Sequence, residues 1–106
     1  MKKHEIIWTE FAVWNLDQIY DYVLSKSFSE STANKLIRGI ILRTEQLQLQ
    51  PNSGQQELEL TKLKKTFRYL VYKNYKIIYF TESTKVYITD VFHCKISPSE
   101  LKKRNL

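Results

Sequence analysis

A chain of 106 residues with 42% hydrophobic and 13% aromatic content is long enough to bury one core, so a single domain over residues 1–106 is expected. Two Gly and two Pro leave little room for linkers, and Cys94, the only cysteine, excludes an internal disulfide or a cysteine-based zinc site. The formal net charge of +6 points to an acidic partner, either nucleic acid or an acidic protein segment.

The N-terminus is basic at Lys2 and Lys3 but lacks the apolar run of a signal peptide. No stretch of about 18 apolar residues offers a membrane span. A cytoplasmic protein with no membrane role is therefore expected. His4–Trp8 is a short β-prone run. Thr9 then stands as a helix N-cap, with Trp8 and Val13 placed as a hydrophobic staple. Ala12, Leu16, Ile19 and Val23 recur at helical spacing, which predicts an amphipathic helix from about residue 10 to 25. Ser25–Ser29 breaks it, and Ser29 caps a second helix whose stripe runs through Ala33, Leu36, Ile37, Ile40, Ile41, Thr44 and Leu47. Together they predict an antiparallel helical hairpin. Gly39 inside the second helix costs up to about 1 kcal/mol relative to Ala, so a close helix contact is expected there.

A polar connection over 50–66 turns basic at Lys62, Lys64 and Lys65. From Phe67 the period changes to two. Phe67–Tyr72, Tyr75–Thr81 and Lys85–His93 read as a three-stranded antiparallel meander, closed by Ser97-Pro98 and a last basic turn through Lys102, Lys103 and Arg104. A first turn on Lys73-Asn74 sets Tyr72 against Tyr75 and Arg68 against Tyr79. A second turn on 82–84 sets Tyr79 against Tyr87. One face then gathers Phe67, Tyr69, Val71, Ile78, Phe80, Val86 and Ile88, with Lys76 opposite Asp90, and is expected to meet the helices. The other gathers Arg68, Leu70, Tyr72, Tyr75, Ile77, Tyr79, Tyr87, Thr89, Val91 and His93, a tyrosine-rich surface suited to base stacking or to a partly dry cleft.

The charge is uneven along this layout. Residues 1–53 balance six basic against six acidic side chains, whereas 61–106 carry eleven bases against Glu82, Asp90 and Glu100. The whole excess is C-terminal.

The order of strand, helical hairpin, Pro51-Asn52-Ser53-Gly54 turn, basic meander and terminal-strand His resembles the RelE/ParE superfamily of bacterial toxins. The specific pieces are Trp8-Thr9 with Ala12, Leu16, Ile19 and Tyr22, then Phe67-Arg68-Tyr69-Leu70-Val71, Tyr75-Lys76-Ile77-Ile78-Tyr79 and Val91-Phe92-His93. The resemblance implies an α+β fold, with an N-terminal strand and helical hairpin on a mainly antiparallel three- to four-stranded sheet. It implies a toxin neutralised by a cognate antitoxin in a hetero-oligomer, with no cofactor and no metal. ParE-like members bind DNA gyrase without chemistry. RelE-like members cleave mRNA on the ribosome without a metal, which requires a general base, a general acid and positive charge at the phosphorane. Carried over by motif position, the RelE-like candidates are Arg68, Lys76, His93 and Lys95. Leu70, Cys94 and Leu101 depart from that set, and Lys76 replaces an Arg, keeping charge but losing bidentate phosphate binding. A gyrase-directed toxin is the first expectation. A ribonuclease, or a nontoxic binding module on the same fold, is the alternative.

Overall fold

The computed structural model describes residues 2–60 and 65–95, with the Glu59 side chain set aside. Lys62, Lys64, the Ser97-Pro98 stop and the basic run 102–104 lie outside the described residues. Strand β1 spans Glu5–Trp8 and leads directly into helix α1, Glu10–Ser27. Thr9 caps α1 as expected, its Oγ1 accepting the Ala12 N–H at 3.1 Å. Trp8 packs against the core while Val13 stays exposed, so the staple is one-sided. The helix runs two residues past Ser25 and ends on Phe28, in the left-handed region at φ 55°. Helix α2, Glu30–Arg43, starts from a Ser29 cap whose Oγ accepts the Thr32 N–H at 3.1 Å. A 3-10 turn over Glu45–Gln48 follows it.

The remaining strands are β2 (Gln55–Gln56), β3 (Arg68–Tyr72), β4 (Tyr75–Glu82) and β5 (Lys85–His93). They complete a five-stranded sheet in the order β1-β5-β4-β3-β2, in which only the β1–β5 pair is parallel. Strand β2 is a two-residue polar addition to the expected sheet, invisible to any period-two pattern. The β3–β4 register is the expected one, Tyr72 against Tyr75 and Arg68 against Tyr79.

The β4–β5 register is not: Glu82 pairs with Lys85, so the second turn is Ser83-Thr84 rather than 82–84, and Tyr79 does not face Tyr87. Ile78 faces Asp90 but Tyr79 faces Ile88, so Thr89 is an extra residue and β5 carries a bulge there. The bulge reverses the parity of β5 along its length. Val86, Ile88 and Val91 therefore share one face with Leu70, Ile77 and Tyr79, and this face meets Ala12, Leu16, Ile19, Ile40 and Leu47 to form the main core. The expected assignment of faces is overturned: Phe67, Tyr69, Ile78 and Phe80 turn away from the helices. They join Leu60 and Phe92 in a second cluster, and Tyr87 stacks on Phe80 at 5.1 Å.

Where β1 stops at Trp8, its pairing with β5 stops at Ile88. The Val91 N–H would then lack an acceptor, and buried Asn15 supplies one through Oδ1 at 3.0 Å. Gly39 is the close contact anticipated for it. A Cβ at this position would overlap the Tyr72 hydroxyl and Cζ.

Two substitutions should therefore act against ordinary helix propensity. Gly39→Ala should cost about 1–3 kcal/mol in urea unfolding by overpacking, and should become neutral or stabilising in a Tyr72→Ala background. Phe28→Gly should instead stabilise by about 1 kcal/mol, because it relieves a left-handed residue that buries almost nothing, being 90% exposed.

Candidate functional site

Arg68 opens β3 on the helix-facing side of the sheet. Its Nη1 donates to the Gly54 carbonyl at 3.0 Å, and Tyr79 across the ladder accepts the Gly54 N–H on its hydroxyl at 2.9 Å. A Cβ at Gly54 would come within 2.5 Å of that hydroxyl and 2.7 Å of the Tyr69 carbonyl, so close approach dictates the glycine. Arg43 ties the same region from α2. Its Nε donates to the Val71 carbonyl at 3.0 Å and its Nη1 to Gln46, whose amide donates to Ser53 Oγ at 2.8 Å. Burial pushes the Tyr79 phenol above its usual pKa, against the lowering effects of the Gly54 N–H, Arg68 and Arg43.

Lys76 stands on the opposite face. Its Nζ lies 3.0 Å from Glu57 Oε2 and 4.3 Å from the Tyr69 ring centroid. Glu57 is buried, and its own N–H donates to the Phe67 carbonyl at 2.8 Å. The lysine thus neutralises a buried carboxylate.

His93 ends β5 on the helix-facing side, far from Arg68. Arg68 pairs with Tyr79 and His93 with Tyr75, which puts roughly 13 Å of strand between them at about 3.3 Å per residue. Leu70 and Ile77 fill that interval beneath the helices. The exposed His93 ring meets Tyr75 edge-on at 5.6 Å, and its Nδ1 accepts the Lys95 N–H at 3.3 Å. Of the four candidates, only His93 and Lys95 are brought together.

At this open end two cavities share Tyr75 as a common wall. The larger, about 440 Å³, is lined by Gln18, Ile19, Tyr22, Tyr75 and His93. The smaller, about 270 Å³, is lined by Val23, Thr32, Lys35, Leu36, Lys73, Asn74 and Tyr75. Burial raises the Tyr75 phenol's pKa, and nearby Tyr22 adds to the shift. Sequence reasoning passed over Gln18, Lys35 and Lys73, and left Phe11 and Trp14 without a role. A signal existed in α1: Phe11 and Trp14 fall off the Ala12–Leu16–Ile19–Val23 stripe, yet they are large and apolar. In the structure they stack on each other at 5.7 Å in solvent.

A small α+β toxin scaffold is what the fold, with its open basic end, matches. The family model of the ParE toxin of type II toxin–antitoxin systems aligns with residues 6–98. The chain belongs to that family: it is a ParE-like toxin component, with an antitoxin as partner. Among solved structures it is similar to the chromosomal ParDE toxin–antitoxin system from P. aeruginosa, with a TM-score of 0.71 and 19% identity over 86% of this chain and 96% of that one. No curated protein sequence matches it significantly. Among the described residues no helix is long and apolar enough to cross a membrane.

Tyr79→Phe should lower stability by about 1–3 kcal/mol, because the buried Gly54 N–H loses its acceptor. It should also change the alkaline limb. A phenol whose folded pKa is raised keeps its proton after the unfolded chain releases its own, so stability is full below about pH 10 and falls as pH rises through the folded value. Urea midpoints measured from pH 8 to 11 should fall less steeply in the variant than in the wild type.

Proposed function

We propose that this toxin acts in the cytoplasm on DNA gyrase, by binding and without chemistry of its own. The disposition of the RelE-like candidates carries the reading. Arg68 is engaged by the Gly54 carbonyl, Lys76 by buried Glu57 on the other face, and His93 with Lys95 stands at the far end of the sheet. Metal-free RNA cleavage asks for an acid, a base and a cation around one phosphate, within hydrogen-bond reach of it. Arg68 and Lys76 support folding in this arrangement, and the described residues gather no such trio. Binding surfaces, by contrast, are plentiful: exposed aromatics on α1, an aromatic cavity and a basic rim.

Under induction without antitoxin, growth should stop, and purified toxin should inhibit supercoiling by gyrase while primer extension finds mRNA intact. His93→Ala should leave toxicity in place. Arg68→Ala should weaken it only in step with lost stability. Cleavage of mRNA at codon boundaries with supercoiling unimpaired would assign the protein to the ribonuclease class instead, and intact mRNA with unimpaired gyrase would exclude both mechanisms.

A further inference from the structure

We propose that Phe28, at the tip of the α1–α2 hairpin, is the ring with which this toxin grips gyrase, by entering a preformed apolar pocket on the enzyme's surface. The proposal rests on the gyrase-directed reading and adds the residue that makes the contact.

Phe28 is unfavourable to the fold in two ways. Its backbone is left-handed, at φ 55° and ψ 30°, a conformation that glycine adopts freely and a Cβ disfavours. Its ring is 90% exposed and belongs to neither core cluster. Glycine or asparagine would end α1 in the same conformation with less strain and no ring in water. An apolar side chain held in solvent on a disfavoured backbone does nothing for stability. Outliers of this kind mark places whose purpose lies in contact with another molecule.

The backbone around the ring is fixed. The Phe28 N–H donates to the Leu24 carbonyl at 2.8 Å. Ser27 Oγ donates to the Val23 carbonyl at 2.8 Å and accepts the Ser29 N–H at 3.2 Å, and Ser29 Oγ accepts the Thr32 N–H at 3.1 Å. Both neighbours of Phe28 are thus bonded back into a helix. The ring is presented from an ordered base, and little backbone freedom remains to be lost on binding. The tip also projects. Val23 and Thr32 share a cavity wall with Lys73, Asn74 and Tyr75 at the β3–β4 turn, and Phe28 stands further along the chain from Val23 by roughly 7 Å of helical rise.

Shape and charge select the occupant. A convex ring needs a concave partner. Folded enzymes carry preformed apolar pockets, often where domains meet, whereas a short segment lying along a toxin fills grooves and offers no pocket of its own. Nucleic acid is disfavoured, because residues 24–31 set Lys26 against Glu30 and give phosphates no cationic track. A membrane is disfavoured as well, since one ring between Ser27 and Ser29 is a single weak anchor without a basic cluster.

The test titrates purified full-length toxin into a gyrase supercoiling assay and follows urea unfolding of the same preparations. Phe28→Gly and Phe28→Asn should need at least about tenfold more toxin for half inhibition, while their urea midpoints stay at or above that of the wild type. A purely structural role would move both readouts down together. Phe28→Trp should inhibit within about threefold of wild type. So should Leu42→Gln, which removes another exposed apolar side chain, from α2, within about the same threefold. Affinity for the antitoxin encoded by the adjoining small open reading frame should stay within about twofold for all four variants. If wild type inhibits gyrase and Phe28→Gly inhibits equally well, the ring is idle and this proposal falls alone. If wild type leaves supercoiling untouched, the gyrase reading fails and the proposal with it. A Phe28→Gly toxin that loses the antitoxin yet still inhibits gyrase would give the ring to the antitoxin, and a lowered urea midpoint alongside lost inhibition would make it structural; either result overturns the proposal.

Discussion

The bulge at Thr89 decides which residues of β5 meet the helices. Strand β5 is long enough to run the full width of the sheet, but β4 offers one residue fewer across the same stretch. Without the extra residue, strict alternation would place Val86 and Ile88 on one face and Val91 on the other. With it, all three sit with Leu70, Ile77 and Tyr79 under α1 and α2. Plain alternation along β4 puts the Tyr79 hydroxyl beneath Gly54 at one end of that face, and the β4–β5 register sets His93 against Tyr75 at the other, beside Gln18, Ile19 and Tyr22 of α1.

Arg43 and Arg68 both turn their guanidinium groups onto backbone carbonyls, Val71 of β3 and Gly54 of the Pro51–Gly54 turn, from a helix and a strand with 24 residues between them. Their planar, multi-donor geometry suits this work better than lysine would. Lys76 goes to the other face because β4 alternates without interruption, and there it meets Glu57 at 3.0 Å. Removing either partner would strand a charge in a largely dry site, so the pair is a constraint on folding before it is anything else.

The parts of this fold legible in the sequence are those governed by local rules. Thr9 and Ser29 act as caps because a side-chain oxygen three residues before an orphan N–H has little else to bond. Gly39 flagged its close contact because a mid-helix glycine is costly unless something needs the space. The Lys73-Asn74 hairpin followed from its length. What was not legible was the pairing of β5, where the second turn is one residue shorter than 82–84 and a bulge follows at Thr89, and the choice of the face that the helices cover. A bulge leaves no mark in a chain where Thr89 is as good a strand former as its neighbours, and the helices cover the mixed, tyrosine-bearing face rather than the more uniformly apolar one. The candidate site inherited that error: Arg68, Tyr75 and His93 share a face as expected, but buried Leu70 and Ile77 separate them, and the outward residues of α1 carry the open surface.

The fold of this chain rests on a pattern: small and aliphatic residues on one stripe of α1, alternating apolar residues on the strands, caps at two helix starts and a tight turn near Gly54. On the outer flank of α1, Trp14 and Tyr22 lie outside it, at 53% and 60% exposure. Polar residues there would serve the fold at least as well and would avoid exposing rings to water. Architecture alone does not fix the activity of such a scaffold, so function has to be argued from the side chains it displays, on that flank and at the open end of the sheet.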